Sequence, residues 1–205
     1  MRLLLLLCIL VGVIYWQNGG SLNLSGDPLT SMSAQRFAPD APKQTPVKFR
    51  KVKDVNGYKL TLHNQFDVTA LVLSKANYSL DRESNIAPTD LTLGWGPMSN
   101  PAPLKLIHIS QGHRFYYFRY ENTPPIAHRA IELNSANMHI IPANDAVKKA
   151  LKRVKRGSVV HLTGYLVDAS SSDGWHWNSS RTRADTGDGA CELFYVENLM
   201  IMPKN

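Results

Sequence analysis

One stretch, residues 134–167, constrains the architecture more than any other: a short strand stopped by Pro142, one amphipathic helix, then a long alternating strand. Asn144 is placed to cap the helix, and Asp145 falls in its first turn, where the helix dipole favours an acid. Val147, Ala150, Leu151 and Val154 recur at helical spacing and form one buried stripe. Lys148, Lys149, Lys152, Arg153, Lys155 and Arg156 occupy the remaining surface, and Gly157 ends the helix. The rest of the chain reads as strands and loops. The expected class is therefore mainly β with one helix (α+β).

The strands declare themselves by period two. Tyr58, Leu60 and Leu62 alternate with polar residues, and residues 66–74 are rich in β-formers, which predicts two strands. Residues 76–100, broken by Gly94, Gly96 and Pro97, read as a long loop carrying Trp95, which stands exposed as a binding aromatic or closes over the end of the core. Residues 104–110 and 114–121 form a hairpin across Gln111-Gly112-His113, with Phe115, Tyr117 and Arg119 on one face and Tyr116, Phe118 and Tyr120 on the other. Thr123-Pro124-Pro125 makes a stiff turn. Residues 158–168 alternate cleanly, Asp173-Gly174 marks a turn, and residues 191–202 supply the last apolar strand or pair. Strands, a helix, then strands again is the order of a small β-barrel that resembles the oligonucleotide/oligosaccharide-binding (OB) type, whose helix bridges the third and fourth strands. The likeness is topological and implies a binding face without naming a ligand.

Arg2 followed by the apolar run Leu3 to Trp16 reads as a signal peptide or a short membrane anchor over residues 1–18. Tyr15 and Trp16 are an interfacial aromatic pair, and no small-x-small cleavage site follows, which favours an uncleaved anchor. The positive-inside rule then places the domain outside the cytosol, on the periplasmic side of a bacterial inner membrane; cleavage would instead release it into the periplasm. Residues 19–50 read as a flexible stalk, and residues 51–205 as a β-rich, barrel-like domain.

With 23 Lys+Arg against 16 Asp+Glu, the net charge of +7 favours anionic neighbours. Cys8 and Cys191 are the two cysteines, and Cys8 lies in the apolar run, so a disulfide framework is excluded. The seven histidines show no spacing of the HExxH or HxH kind, so neither a metal nor another cofactor is expected. The tripeptide Asp185-Thr186-Gly187 lacks the apolar lead-in of an aspartic protease. The candidate binding residues are Ser135, Asn137 and His139 at the entry to the helix, Trp95, and the basic pair Lys152 and Arg156.

Two resemblances extend this reading. An exported domain with His139 on an earlier strand, Cys191 at the start of a late one and Arg183 near it resembles the layout of sortases, anchored cysteine transpeptidases. That resemblance implies an alternative catalytic set of Cys191, His139 and Arg183, although the flank GDGACELF departs from the sortase pattern and no Arg follows Cys191. The segments LGWGPMSN (93–100), SANMHIIPA (135–143) and TGDGACE (186–192) together resemble a family of uncharacterised bacterial proteins with an N-terminal hydrophobic segment. The family implies a bacterial envelope setting and transfers no catalytic residue. The expected function is non-catalytic binding of a partner protein or an anionic envelope polymer, and the export signal disfavours nucleic acid.

Overall fold

The computed structural model describes residues 36–180 and 191–204. These residues are mainly β. Nine strands are present among them: β1 (Lys43–Val55), β2 (Tyr58–Asn77), β3 (Thr89–Gly94), β4 (Ile107–Gly112), β5 (Phe115–Tyr120), β6 (Ser135–Pro142), β7 (Val159–Ser170), β8 (His176–Trp177) and β9 (Glu192–Met202). Three α-helices accompany them: α1 (Pro101–Leu104), α2 (His128–Leu133) and α3 (Asp145–Arg153). The strand order in the large sheet is β1-β2-β3-β6-β9-β7-β8, while β4 and β5 pair only with each other.

The long β2 is shared between two partners. Its residues Lys59 to Leu71 pair with β7, and Leu71 to Asn77 pair with β3. The pairings therefore run from β2 to β3, β6, β9 and β7 and return to β2. All are antiparallel except β6 with β9. Alternate residues inside this circuit form one core: Phe66, Val68, Ala70 and Val72 of β2, Leu91 and Leu93, Met138 and Ile140, Val160 and Leu162, Phe194 and Val196. A side chain at residue 164 would destroy the β7–β9 approach, because a Cβ on Gly164 would stand 2.0 Å from the Tyr195 carbonyl oxygen. The register shifts at this same point, between Thr163 and Gly164.

Helix α3 behaves as its sequence requires. The Asn144 side chain accepts from the Val147 amide at 3.0 Å, and Val147, Leu151 and Val154 join the core of the circuit. Burying a Val or Leu of this kind is worth roughly 1.5–3 kcal/mol. At the other end Lys75 Nζ donates to the carbonyls of Leu151 and Val154, at 2.6 and 3.1 Å. These would otherwise be orphan acceptors of a helix end. Burial lowers the Lys75 pKa from its ordinary value. The helix stops at Arg153, with Val154 already extended, before Gly157 is reached.

Several expectations change. The stretch 58–74 is one strand, not two; it passes through a register shift between Leu62 and Asn64 without breaking. The supposed long loop 76–100 contains the end of β2 and all of β3, whose six residues are buried on both faces. Trp95 is not an exposed binding aromatic: it is 1% exposed and belongs to the main core. One helix becomes three, because α1 and α2 are too short to show a period. The first strand starts at Lys43, inside the expected stalk, and Ala38 is buried before it, its carbonyl accepting from the Gly96 amide at 2.8 Å. The segment 1–18 lies outside the described residues, as do the Asp185-Thr186-Gly187 loop and Arg183. Among the described residues no helix is long and apolar enough to cross a membrane.

Candidate functional site

β3 and β6 pair with Asp90 opposite His139 and Thr92 opposite Asn137. Leu91, Leu93, Met138 and Ile140 turn inward, so these four polar residues share the outward face. They are nonetheless buried, because the β4–β5 hairpin and the loop after β2 lie over them.

The hairpin turns at His113 and Arg114, both left-handed, with φ of 52° and 70°. For residues with a Cβ this conformation costs roughly 1–2 kcal/mol each. Arg114 offsets that cost. Its Nε and Nη2 donate to the two oxygens of Asp81 at 2.8 and 2.7 Å, and its Nη1 donates to Asp90 Oδ1 at 2.9 Å and to the Ala87 carbonyl at 2.8 Å. The guanidinium lies 3.9 Å from the ring centre of Tyr78. Burial works against the charged guanidinium, but the Asp81 hydrogen bonds and the charges of Asp90 and Asp81 outweigh it and raise the Arg114 pKa. The same hydrogen bond from Arg114 holds Asp81 below the usual carboxylate value. Burial, reinforced by the Asp90 charge, pushes Tyr78 up.

The residues expected at the helix entry belong to this seam. Asn137 Nδ2 donates to the Arg114 carbonyl at 2.8 Å and to Asp90 Oδ2 at 3.4 Å, while its Oδ1 accepts from Gln111 at 2.7 Å. The Ser135 hydroxyl lies 2.9 Å from Tyr116 OH and donates to the Ile131 carbonyl at 2.7 Å. His139 Nδ1 stands 2.9 Å from Asp90 Oδ1 but off the direction of a formed hydrogen bond. Its ring packs on Trp177, centroids 4.7 Å apart. Gln111 Oε1 is buried with no hydrogen-bond partner among the described residues.

Cys191 precedes Glu192, which is registered with Met138, and its Sγ donates to the Arg114 carbonyl at 3.6 Å. Leu193, not Cys191, is opposite His139. His139 therefore sits within β6 and Cys191 just ahead of the neighbouring β9, offset along the strand direction by two residues, roughly 7 Å.

The seam fastens the hairpin to the sheet, and the open surface lies at the hairpin's base. A groove of about 840 Å³ is lined by Lys105, His108, Arg119, Glu121 and Arg156, with Leu104, Ile107 and Tyr120 among its apolar residues. Lys105, Arg119 and Arg156 are exposed and make no ion pair with a described residue. Arg156 is thus a predicted residue that reaches an open site; Lys152 is exposed on α3 but does not line the groove. Lys105, His108 and Arg119 were not anticipated as one site, because only the folded hairpin brings 105–108 beside 119–123.

A third feature ties two loops. Arg82 Nη2 donates to both Asp173 oxygens at 2.8 and 2.7 Å and lies 5.0 Å over the Trp175 ring, which meets Tyr58 edge-on at 5.2 Å. Compared with known proteins, the chain matches no family model, no curated protein and no solved structure.

Proposed function

We propose that this domain is a non-catalytic module that binds an anionic envelope polymer in the groove at the base of the β4–β5 hairpin. The observation that carries the reading is the convergence of Lys105, His108, Arg119 and Arg156 on one groove with Glu121 as the opposing charge. Cations not committed to ion pairs are available to phosphate or carboxylate groups, and the open shape suits a chain more than a small enclosed ligand. The scaffold in this reading is a closed barrel of the OB type. The returning β7–β2 pairing, the parallel β6–β9 pair and a helix between the third and fourth strands of the circuit support it. The apolar run ahead of the domain would hold it at the periplasmic face of the inner membrane.

The test is fluorescence anisotropy with a labelled polyphosphate on the full chain in mild detergent. Binding should weaken as salt rises, and Arg119→Glu with Arg156→Glu should reduce affinity at least tenfold, on the order of 1.4 kcal/mol. Affinity unchanged in that variant would overturn the groove as the site.

One observation favours a second reading, a cysteine transpeptidase or peptidase. Asp90 Oδ1 is 2.9 Å from His139 Nδ1, near enough for the carboxylate to orient the imidazole once the ring turns into hydrogen-bonding alignment, and Cys191 immediately precedes the adjacent strand. Its test is alkylation of Cys191 by iodoacetamide: a fast reaction that slows in His139→Ala supports the dyad, and a slow reaction indifferent to His139 removes it.

A further inference from the structure

The edge strand β1 carries a feature the groove does not explain. Pro46 is registered with Asn64 and Lys51 with Leu62, so Val47, Lys48, Phe49 and Arg50 stand against the single residue His63 and bulge from the sheet. Phe49 is 79% exposed, and Val52, three residues further along the strand, is 42% exposed. Lys48, Arg50 and Lys51 flank Phe49 along the bulge, all exposed, and none makes an ion pair with a described residue; Lys53, further along the strand, is committed to Glu197 at 3.0 Å.

We propose that this bulge is a contact for an anionic lipid bilayer, with Phe49 entering the interface and Lys48, Arg50 and Lys51 engaging lipid phosphates. The two halves of the feature select this partner together. Phosphate groups complement the cations, and the apolar part of the interface takes up the phenyl ring that stands beside them in sequence. A soluble polyanion uses the charges and leaves Phe49 in water. A second copy of the chain adding as a strand is disfavoured by the edge itself. Pro46 has no N–H to offer, and the bulge interrupts the row of donors that strand addition requires. The inference rests on the membrane-anchored part of the reading above and is independent of the groove.

The experiment uses the full chain carrying Phe49→Trp, mixed with vesicles of phosphatidylcholine alone or with added phosphatidylglycerol, each also made with bromine-labelled acyl chains. The expected result is bromolipid quenching of the variant beyond that of the parent chain, with a blue shift, only on the anionic vesicles. Reversal of Lys48, Arg50 and Lys51 to Glu in the same background should abolish it, and Arg119→Glu with Arg156→Glu should leave it intact. Flotation on the same vesicles separates the two readings. A chain that floats without excess quenching, or that quenches equally on neutral vesicles, overturns the lipid contact alone. A chain that floats with neither vesicle overturns the anchor and the contact together. A blue shift that grows with protein concentration in the absence of lipid assigns the bulge to self-association and overturns the proposal. Phe49 and the three cations are exposed, so the variants should keep the parent melting curve.

Discussion

Replacing Arg114 with Met tests the polar seam most severely. The substitution keeps most of the side-chain length but removes the donors serving Asp81, Asp90 and the Ala87 carbonyl. The side chain of Arg114 is 13% exposed and that of Asp90 is 0% exposed, so a carboxylate is left buried without its cation. Breaking such a pair from one side costs roughly 3–5 kcal/mol. The Asp81 pair adds little, about 1 kcal/mol at most, because Asp81 is 34% exposed. In urea, with a slope of about 1–3 kcal/mol per molar, a loss of this size moves the midpoint down by at least ~1 M. Adding Asp90→Asn removes the stranded charge, so the double variant should be more stable than Arg114→Met alone. A midpoint within ~0.3 M of the parent, or a double variant no better than the single, would refute the view that this pair holds the hairpin to the sheet.

Three further outcomes are expected. Asn144→Ala removes the cap of α3 and should cost about 1 kcal/mol in urea unfolding, and Asn144→Ser should restore most of it. Gly164→Ala drives a Cβ into the backbone of Tyr195 and should abolish accumulation of folded protein or lower stability by more than ~3 kcal/mol, whereas Gly174→Ala, with nothing within 4 Å but a φ of 89°, should cost only about 1 kcal/mol, read by the same unfolding curves. Acid should destabilise the fold through two aspartates. Asp81 is held below 3.8 by Arg114, and Asp173 is lowered to about 2 by Ser171, the Trp175 amide and Arg82. A depressed carboxylate stabilises the fold fully above the ordinary value and loses that contribution as pH falls through the folded one, so the urea midpoint should drop from about pH 4 towards pH 2. Asp81→Asn should flatten part of the drop; a midpoint constant across that window contradicts the assignment.

What the sequence made legible was local. The stripe of Val147, Ala150, Leu151 and Val154, the Asn144 cap and the alternation of β7 depend on near neighbours, and the structure keeps all of them. The separation of Tyr116, Phe118 and Tyr120 from Tyr117 and Arg119 also survives, because strand alternation needs no tertiary information. β3 was obscured for a physical reason. Its Asp90 and Thr92 look like loop residues because their burial depends on Arg114 and Asn137, which are distant in sequence. α2 has no side-chain cap and is too short for a period, so only the packing of Ile131 marks it. The groove was half visible: Arg156 stood out in a basic run, while Lys105, His108 and Arg119 acquire meaning only when β4 pairs with β5.

The most direct measurement is the amide-exchange footprint of bound polyphosphate on the full chain. If the groove is the binding site, protection should concentrate at residues 104–108, 119–123 and 155–157, and Arg119→Glu with Arg156→Glu should erase it. Protection confined to residues 47–53 of β1, or to the Trp175 loop, with the groove unchanged, would contradict it.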